Sequence, residues 1–370
     1  MTTPLSARVA MPKRFTPQFI PKKRPATPLR LVDEDGQLVG DYAPELDFPA
    51  VLEALRYMKL ARAFDTKSFS LQRQGKLGTF APIHGQEASI VGTAMALDPA
   101  TDWVVPQYRE LPALLRQGYP AERIALYRQG HPEGGVVPEG VNILQYQISL
   151  AAQIPHAVGL AWGLALQDKP GVAAVYFGDG ASSEGDFHEA CNLAGVVDAP
   201  VIFVLQNNHW AISTPRSIQS GATDLASRAP GYGFPGVSVD GNDLLAVHKV
   251  TADAVLRARA GEGPTLIECH TYRMWPHTTA DDPTRYVDPE EKAQWETRDP
   301  IDRMERYLAS NGHWDEDTAT RWEAEIADEV EAAFDAANAY PPAQPGDIYE
   351  HVFAEPTGTL SRQRRWHLGE

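Results

Sequence analysis

Cysteine is nearly missing from this sequence: Cys191 and Cys269 are the only two in 370 residues. Two cysteines cannot staple a chain of this length, so a disulfide scaffold is excluded and a reducing compartment is expected. Both read as small, buried apolar residues. Long hydrophobic runs are lacking too. None approaches the ~18 apolar residues of a membrane-crossing helix, and the basic, proline-containing N-terminus holds no apolar stretch of the secretory type. For a bacterial source the expected location is the cytoplasm. Positive charge is also short, with 33 Lys+Arg against 49 Asp+Glu and a net charge of -16. A surface of that sign repels phosphate backbones and anionic lipid, which argues against a nucleic-acid or membrane partner.

What is present is the composition of an ordinary globular protein, 43% hydrophobic and 22% charged, long enough to bury a sizeable core. Residues 1–30 carry Lys13, Arg14, Lys22, Lys23, Arg24 and Arg30 among prolines and read as an extended arm with too little apolar content to fold alone. Residues 31–340 read as one α/β domain, and 341–370, rich in proline and turn formers, as an extended tail. Val51, Leu52, Leu55, Met58 and Phe64 fall near helical spacing between Phe48 and about Gln74. The glycine-punctuated stretch Gly75–Gly85 then breaks the pattern. Ala151–Gln167 reads as a buried helix in which Gly159 and Gly163 allow a neighbour close. A stripe of Trp322, Ile326, Val330 and Phe334 predicts a late amphipathic helix.

The middle of the chain alternates strands with helices. Val172–Phe177, Val201–Gln206, Val237–Asp240 and Thr265–Tyr272 are short runs rich in strand formers. Between them lie helical faces such as Phe187, Ala190, Leu193, Ala194 and Val197. This alternation predicts a doubly wound, parallel α/β sheet. Ligands of such sheets bind beyond the C-terminal ends of the strands, so the residues that follow each strand are the ones to inspect.

The strand ending at Phe177 runs into Gly178-Asp179-Gly180, where glycine lets the backbone turn and approach a ligand closely. The next strand runs into Asn207-Asn208-His209-Trp210. Adjacent strand ends bring Asp179 and Asn208 near one another. Both offer hard oxygen donors, and Mg²⁺ takes one or two such ligands while phosphate oxygens and water complete its shell. The 26 residues between Gly180 and Asn207 leave room for one helix and one strand.

Gly-Asp-Gly, a helix, a strand and Asn-Asn together resemble the thiamine diphosphate motif. The segment Gly178–Ser213 is similar to the alpha subunits of the pyruvate and branched-chain 2-oxo acid dehydrogenases. The likeness extends through Gly85-Gln86-Glu87-Ala88, Gln107-Tyr108-Arg109-Glu110, Gln153-Ile154-Pro155, Tyr272-Arg273, His277-Thr278 and Asp281-Asp282-Pro283. It covers the chain from about residue 30 onward. The resemblance implies a thiamine diphosphate-binding fold with N- and C-terminal extensions. It implies Mg²⁺ held by Asp179, Asn208 and the carbonyl of Trp210, and a diphosphate lined by Gly178 and Gly180 and reached by Tyr108 and Arg109. The backbone near Leu150 meets the aminopyrimidine ring. His277 lies by the cofactor as a catalytic residue that helps pass the acyl group to lipoamide. Where branched-chain relatives carry an arginine before Asn-Asn, this chain has Gln206. Thr278 falls where mitochondrial relatives carry a regulatory phosphoserine. No role attaches to His131 or Glu133, the residues nearest the place of a second active-site histidine, and His84 and His209 read as packing groups.

The resemblance further implies a beta subunit that supplies the activating glutamate, a heterotetramer of two alpha and two beta chains, and a dihydrolipoamide acyltransferase whose lipoyl domain receives the acyl group. The substrate is a small 2-oxo acid, with pyruvate placed first and branched-chain 2-oxo acids next. Three other readings stay open: an acetoin dehydrogenase alpha subunit, a self-sufficient transketolase-like homodimer, and a binding module that has lost catalysis. The chain length leaves no room for the second α/β domain that the homodimer needs.

Overall fold

A computed structural model describes residues 27–39, 43–350 and 352–370. The first elements are helix α1 (Phe48–Arg73), α2 (Glu87–Met95), strand β1 (Trp103–Val105), α3 (Leu111–Arg116) and α4 (Ala121–Gln129). There follow α5 (Gln153–Leu166), β2 (Ala173–Gly178), α6 (Gly185–Val196) and β3 (Val201–Asn207). A small ribbon of β4 (Trp210–Ala211) and β5 (Thr214–Pro215) leads through α7 (Arg216–Gln219) to β6 (Gly236–Asp240), α8 (Leu244–Arg259) and β7 (Thr265–His270). The chain ends in α9 (Pro289–Glu296), α10 (Pro300–Ser310), α11 (Glu316–Asn338), the single turn α12 (Asp347–Glu350) and α13 (Gly358–Leu368).

Five strands form one sheet in the order β1-β2-β3-β7-β6, and every pairing is parallel. β2, β3 and β7 are covered on both faces, which is why they read as near-continuous apolar runs. One face, with Tyr176, Val204 and Ile267, packs among residues of α1, α2, α8 and α11. The other, with Phe177, Phe203 and Leu205, packs against Ile154, Val158, Phe187 and Ala190 of α5 and α6. The sheet is therefore doubly wound, as its sequence pattern predicts.

Side-chain caps set the helix starts. Asp47 Oδ1 accepts the Ala50 N–H at 2.9 Å to begin α1. Asp243 caps α8 with one oxygen, while the other takes the N–H groups of Leu31 and Val32 at 2.6 and 2.7 Å. That second set ties the entering chain to the start of α8. Leu29 then bridges Val239, with its N–H on the Ser238 carbonyl at 2.9 Å.

Two expectations change, one lies mostly outside the described residues, and one strand is new. Most of the proposed N-terminal arm, residues 1–26, lies outside the described residues; residues 28–30 lie beside β6, joined to it through Leu29 and an Arg30–Asp240 ion pair at 3.0 Å. The strand β1 escapes a pattern search because it has only three residues. Helix α5 is not buried all round: Trp162 is 38% and Leu166 70% exposed, and nothing approaches a Cβ placed at Gly159 or Gly163. The tail is not extended throughout, because Thr357 caps α13 just after Pro356, and no proline follows to break it.

Candidate active site

Four neighbouring strands deliver the candidate residues from their C-terminal ends. β1 leads into Gln107–Glu110, β2 into Asp179-Gly180, β3 into Asn208–Trp210, and β7 into Thr271–His277. In the sheet register Gly178 lies opposite Gln206 and Asn207 opposite His270. The loops stay joined past the sheet, with the Thr271 N–H on the Asn207 carbonyl at 3.0 Å. Gly180 is pressed against the β4 strand so closely that a Cβ there would lie 2.8 Å from the Cβ of Ala211.

Asp179 is 1% exposed. Its Oδ2 accepts Gln219 Nε2 at 3.0 Å, whereas Oδ1 is buried with no partner among the described residues. Burial pushes the carboxyl up to about 6, against the opposing pull of the Gln219 bond. A buried aspartate with a bare oxygen is a costly arrangement that a cation relieves. Nearby, Asn208 donates to Gln86 Oε1 at 2.9 Å and accepts the Trp210 N–H at 3.2 Å through its own oxygen. The Trp210 ring turns away, its Nε1–H on Tyr272 Oη at 3.3 Å. Among the described residues no three His, Cys, Asp or Glu side chains converge as a metal cage. The donors that do converge suit a hard cation that brings most of its own ligands, as Mg²⁺ does when it travels with phosphate.

The opposite electrostatic demand comes from two buried arginines. Arg109 gives Nη1 to the Pro82 carbonyl, and Nη2 to His277 Nδ1 at 3.1 Å and to the His277 carbonyl at 3.0 Å. Arg273 gives Nη2 to the Ile212 carbonyl and to Tyr286 Oη, both at 2.7 Å, while its Nε and Nη1 have no partner among the described residues. No carboxylate meets either guanidinium among the described residues. Burial lowers both, and Arg109 lowers Arg273 further. Tyr108 lies edge-on to His277, 6.4 Å between ring centres, with the Arg109 guanidinium 5.4 Å from its own ring. Two buried guanidiniums with no ion-pair partner among the described residues offer donors to a multiply charged anion.

His277 is held neutral. Burial, then the Arg109 and Arg273 charges, pull its imidazole down to about 3, with Asp281 opposing. Because a guanidinium only donates, Nδ1 is the acceptor and the ring proton belongs on Nε2. The backbone is fixed by the His277 N–H on Asp281 Oδ2 at 2.8 Å, an oxygen that Tyr286 also meets at 2.5 Å.

Of the residues singled out in the sequence, Gly178, Asp179, Gly180, Asn208, Trp210, Tyr108, Arg109 and His277 gather at this one end of the sheet. Leu150 stands at the rim, 41% exposed, in a loop tied to the Tyr108 turn by the Gln147 N–H on the Gln107 carbonyl at 2.9 Å. His84 stacks on Trp275 with ring centres 3.4 Å apart, and His209 meets the edge of Trp295. His131 begins a short turn and contacts the Pro341 carbonyl at 3.0 Å. Cys191 and Cys269 are free and buried, and burial raises both thiols. Sequence reasoning gave no role to Arg273, Gln86, Gln219 or Glu110, although three of the four lie within segments that carried the resemblance.

The same segments are matched in known proteins. A family described as "Dehydrogenase E1 component" matches residues 55–346. A Staphylococcus epidermidis protein named pyruvate dehydrogenase E1 component subunit alpha is 45% identical over 312 residues, 84% of this chain and 84% of that one. Its Staphylococcus aureus namesake is 45% identical over 311 residues, 84% of this chain and 83% of its own length. A match of this extent, over the residues that build the site, places the chain in the dehydrogenase E1 component family, and the protein is an oxidoreductase of that family.

Proposed function

We propose that this chain is the alpha subunit of a pyruvate dehydrogenase E1 component, which decarboxylates pyruvate oxidatively with thiamine diphosphate and Mg²⁺ and passes the acyl group to lipoamide. The observation that carries the reading is the charge arrangement at the strand ends: Asp179 is buried with a bare oxygen, and the buried guanidiniums of Arg109 and Arg273 form no ion pair among the described residues. One magnesium-bound diphosphate satisfies both demands. Asp179, Asn208 and the Trp210 carbonyl hold the metal, and Gly178 and Gly180 let the backbone come close. Tyr108, Arg109 and Arg273 take the diphosphate oxygens, and the backbone near Leu150 meets the aminopyrimidine ring. Thiamine diphosphate, when bound, supplies the carbon nucleophile and the electron sink for losing CO₂ from a 2-oxo acid.

The chain's own residues do the rest. Buried walls around Asp179 and Arg109 exclude water, so each charge contact there is stronger than in solvent. His277, neutral and with its proton on Nε2, donates to a developing negative oxygen without adding a charge next to the arginines. The activating carboxylate belongs to a beta subunit, giving a heterotetramer in the cytoplasm, and the acyl group leaves on the lipoyl domain of a dihydrolipoamide acyltransferase.

The test is steady-state turnover of the chain with and without its co-expressed beta partner, on pyruvate, 2-oxoisovalerate and 2-oxoglutarate. Activity that needs both chains and is highest with pyruvate is expected. Robust turnover by this chain alone, or a preference for another of the three acids, overturns the corresponding part.

A further inference from the structure

Glu110 is a buried carboxylate that the proposed chemistry does not use. It is 2% exposed. Its bonds all go to neutral groups. Oε2 accepts the N–H groups of Gln107 and Arg109, each at 2.9 Å, and Oε1 accepts Gln206 Nε2 at 2.8 Å. A buried carboxyl with no ion-pair partner among the described residues is expensive, and burial raises its pKa against the pull of its three hydrogen bonds. An expensive group in such a place calls for an account.

The two oxygens face different halves of the site. Oε2 folds the turn that carries Tyr108 and Arg109, the arm that reaches for an anion. Oε1 grips Gln206, which lies opposite Gly178 in the sheet and directly precedes Asn207-Asn208. One side chain thus spans from the anion-binding turn at the end of β1 to the cation-binding loop at the end of β3, with β2 and Asp179 between them.

We propose that Glu110 is a positioning residue which, through Gln206, fixes the separation between the Tyr108–Arg109 turn and the Asp179/Asn208 loops. This rests on the diphosphate reading given above. Glu110 acts through those neighbours and is not assigned a contact with the cofactor itself.

An exchange variant isolates the link. In Glu110→Gln with Gln206→Glu, the new amide oxygen accepts the same two backbone N–H groups and its NH₂ donates to the new carboxylate. Ser89 Oγ, now a donor to Gln206 Oε1 at 3.3 Å, finds an acceptor there as before. Thiamine diphosphate affinity is measured by calorimetry with Mg²⁺ present, on the full chain assembled with its beta partner. Thermal unfolding without cofactor is read alongside.

Glu110→Ala and Gln206→Ala are each expected to weaken binding about 10–100-fold, the usual cost of losing a group that orients a metal or cofactor ligand. The exchange variant is expected to recover most of that loss. If Glu110→Ala does not fold, Gln206→Ala and the exchange variant decide the matter. Wild-type affinity in either alanine variant overturns the inference, as does an exchange variant that binds no better than the weaker single. Wild-type protein that binds no thiamine diphosphate removes the cofactor reading and this inference together, whereas wild-type binding with indifferent variants removes this inference alone.

Discussion

The Arg109 guanidinium lies 3.1 Å from His277 Nδ1 and 3.0 Å from the carbonyl oxygen of the same residue. One arginine thus holds the histidine at two atoms and selects its tautomer, while burial first and the arginine charge second keep the ring neutral. The folded chain binds this proton less readily than the unfolded chain, whose imidazole keeps its ordinary value of about 6.5. Stability contributed by the neutral ring is present above pH 6.5 and is lost as the pH falls from there toward 3. The ring resonances of His277, assigned by comparison with His277→Gln, are expected to stay unprotonated from pH 8 down to pH 5 in the cofactor-free chain. A midpoint near 6.5 would show that neither the burial of the ring nor the arginine contact persists in solution.

Asp179 carries the opposite sign. Its folded value of about 6 exceeds the unfolded 3.8, so the folded chain holds the proton more tightly, and stability without ligand falls as the pH rises through that interval. At pH 7 this amounts to a penalty of up to about 3 kcal/mol. Asp179→Asn is therefore expected to raise the melting temperature of the cofactor-free chain while abolishing the further rise caused by thiamine diphosphate with Mg²⁺. A variant that melts lower without cofactor and still responds to it would contradict both halves of the argument.

Arg273 separates binding from folding in a similar way. Two of its three nitrogens have no partner, so its replacement breaks few contacts in the cofactor-free chain. A charge-assisted hydrogen bond is worth ~1.5–3 kcal/mol. Arg273→Met is accordingly expected to weaken diphosphate binding at least about tenfold, with little loss of thermal stability. The measurement is calorimetric titration beside a melting curve. Lost stability with unchanged affinity would make Arg273 a structural residue.

These three residues differ in how plainly the sequence announced them. Asp179 follows an apolar strand inside Gly-Asp-Gly, so periodicity and punctuation together point at it. The strands β2, β3, β6 and β7 were legible for the same reason, since burial on one or both faces writes itself into consecutive side chains. Arg273 was visible only as part of a resemblance, because its importance lies in lacking a carboxylate, which depends on what folds around it. Glu110 and Gln206 are 96 positions apart, and no local pattern couples such a pair. Helix α5 differs from its pattern in one respect: a mean apolar character signals burial, yet on its outer face Trp162 is 38% and Leu166 70% exposed among the described residues. The late helix α13 was hidden by the prolines just before it, which coloured the composition of the whole tail.

Gly180 gives the sharpest steric test, because only one neighbour forbids a side chain there. Its φ and ψ of -59° and -43° are ordinary helical values that alanine adopts freely. The obstacle is Ala211, whose Cβ would lie 2.8 Å from the new methyl, while the Ala211 Cα at 3.5 Å is within normal contact. Gly180→Ala is therefore expected to push the Asp179 loop and the Trp210 strand apart, lowering cofactor affinity roughly tenfold or more, as displaced ligand supports do elsewhere. The fold should persist, since the clash involves the turn after β2 and the short β4 strand and not the five-stranded sheet beneath them. Adding Ala211→Gly removes the offending Cβ and is expected to restore binding in the double variant. Affinities of the two singles and the double, measured by titration with thiamine diphosphate and Mg²⁺, decide the point: a double variant as weak as Gly180→Ala would mean that something other than this contact sets the spacing of the two loops.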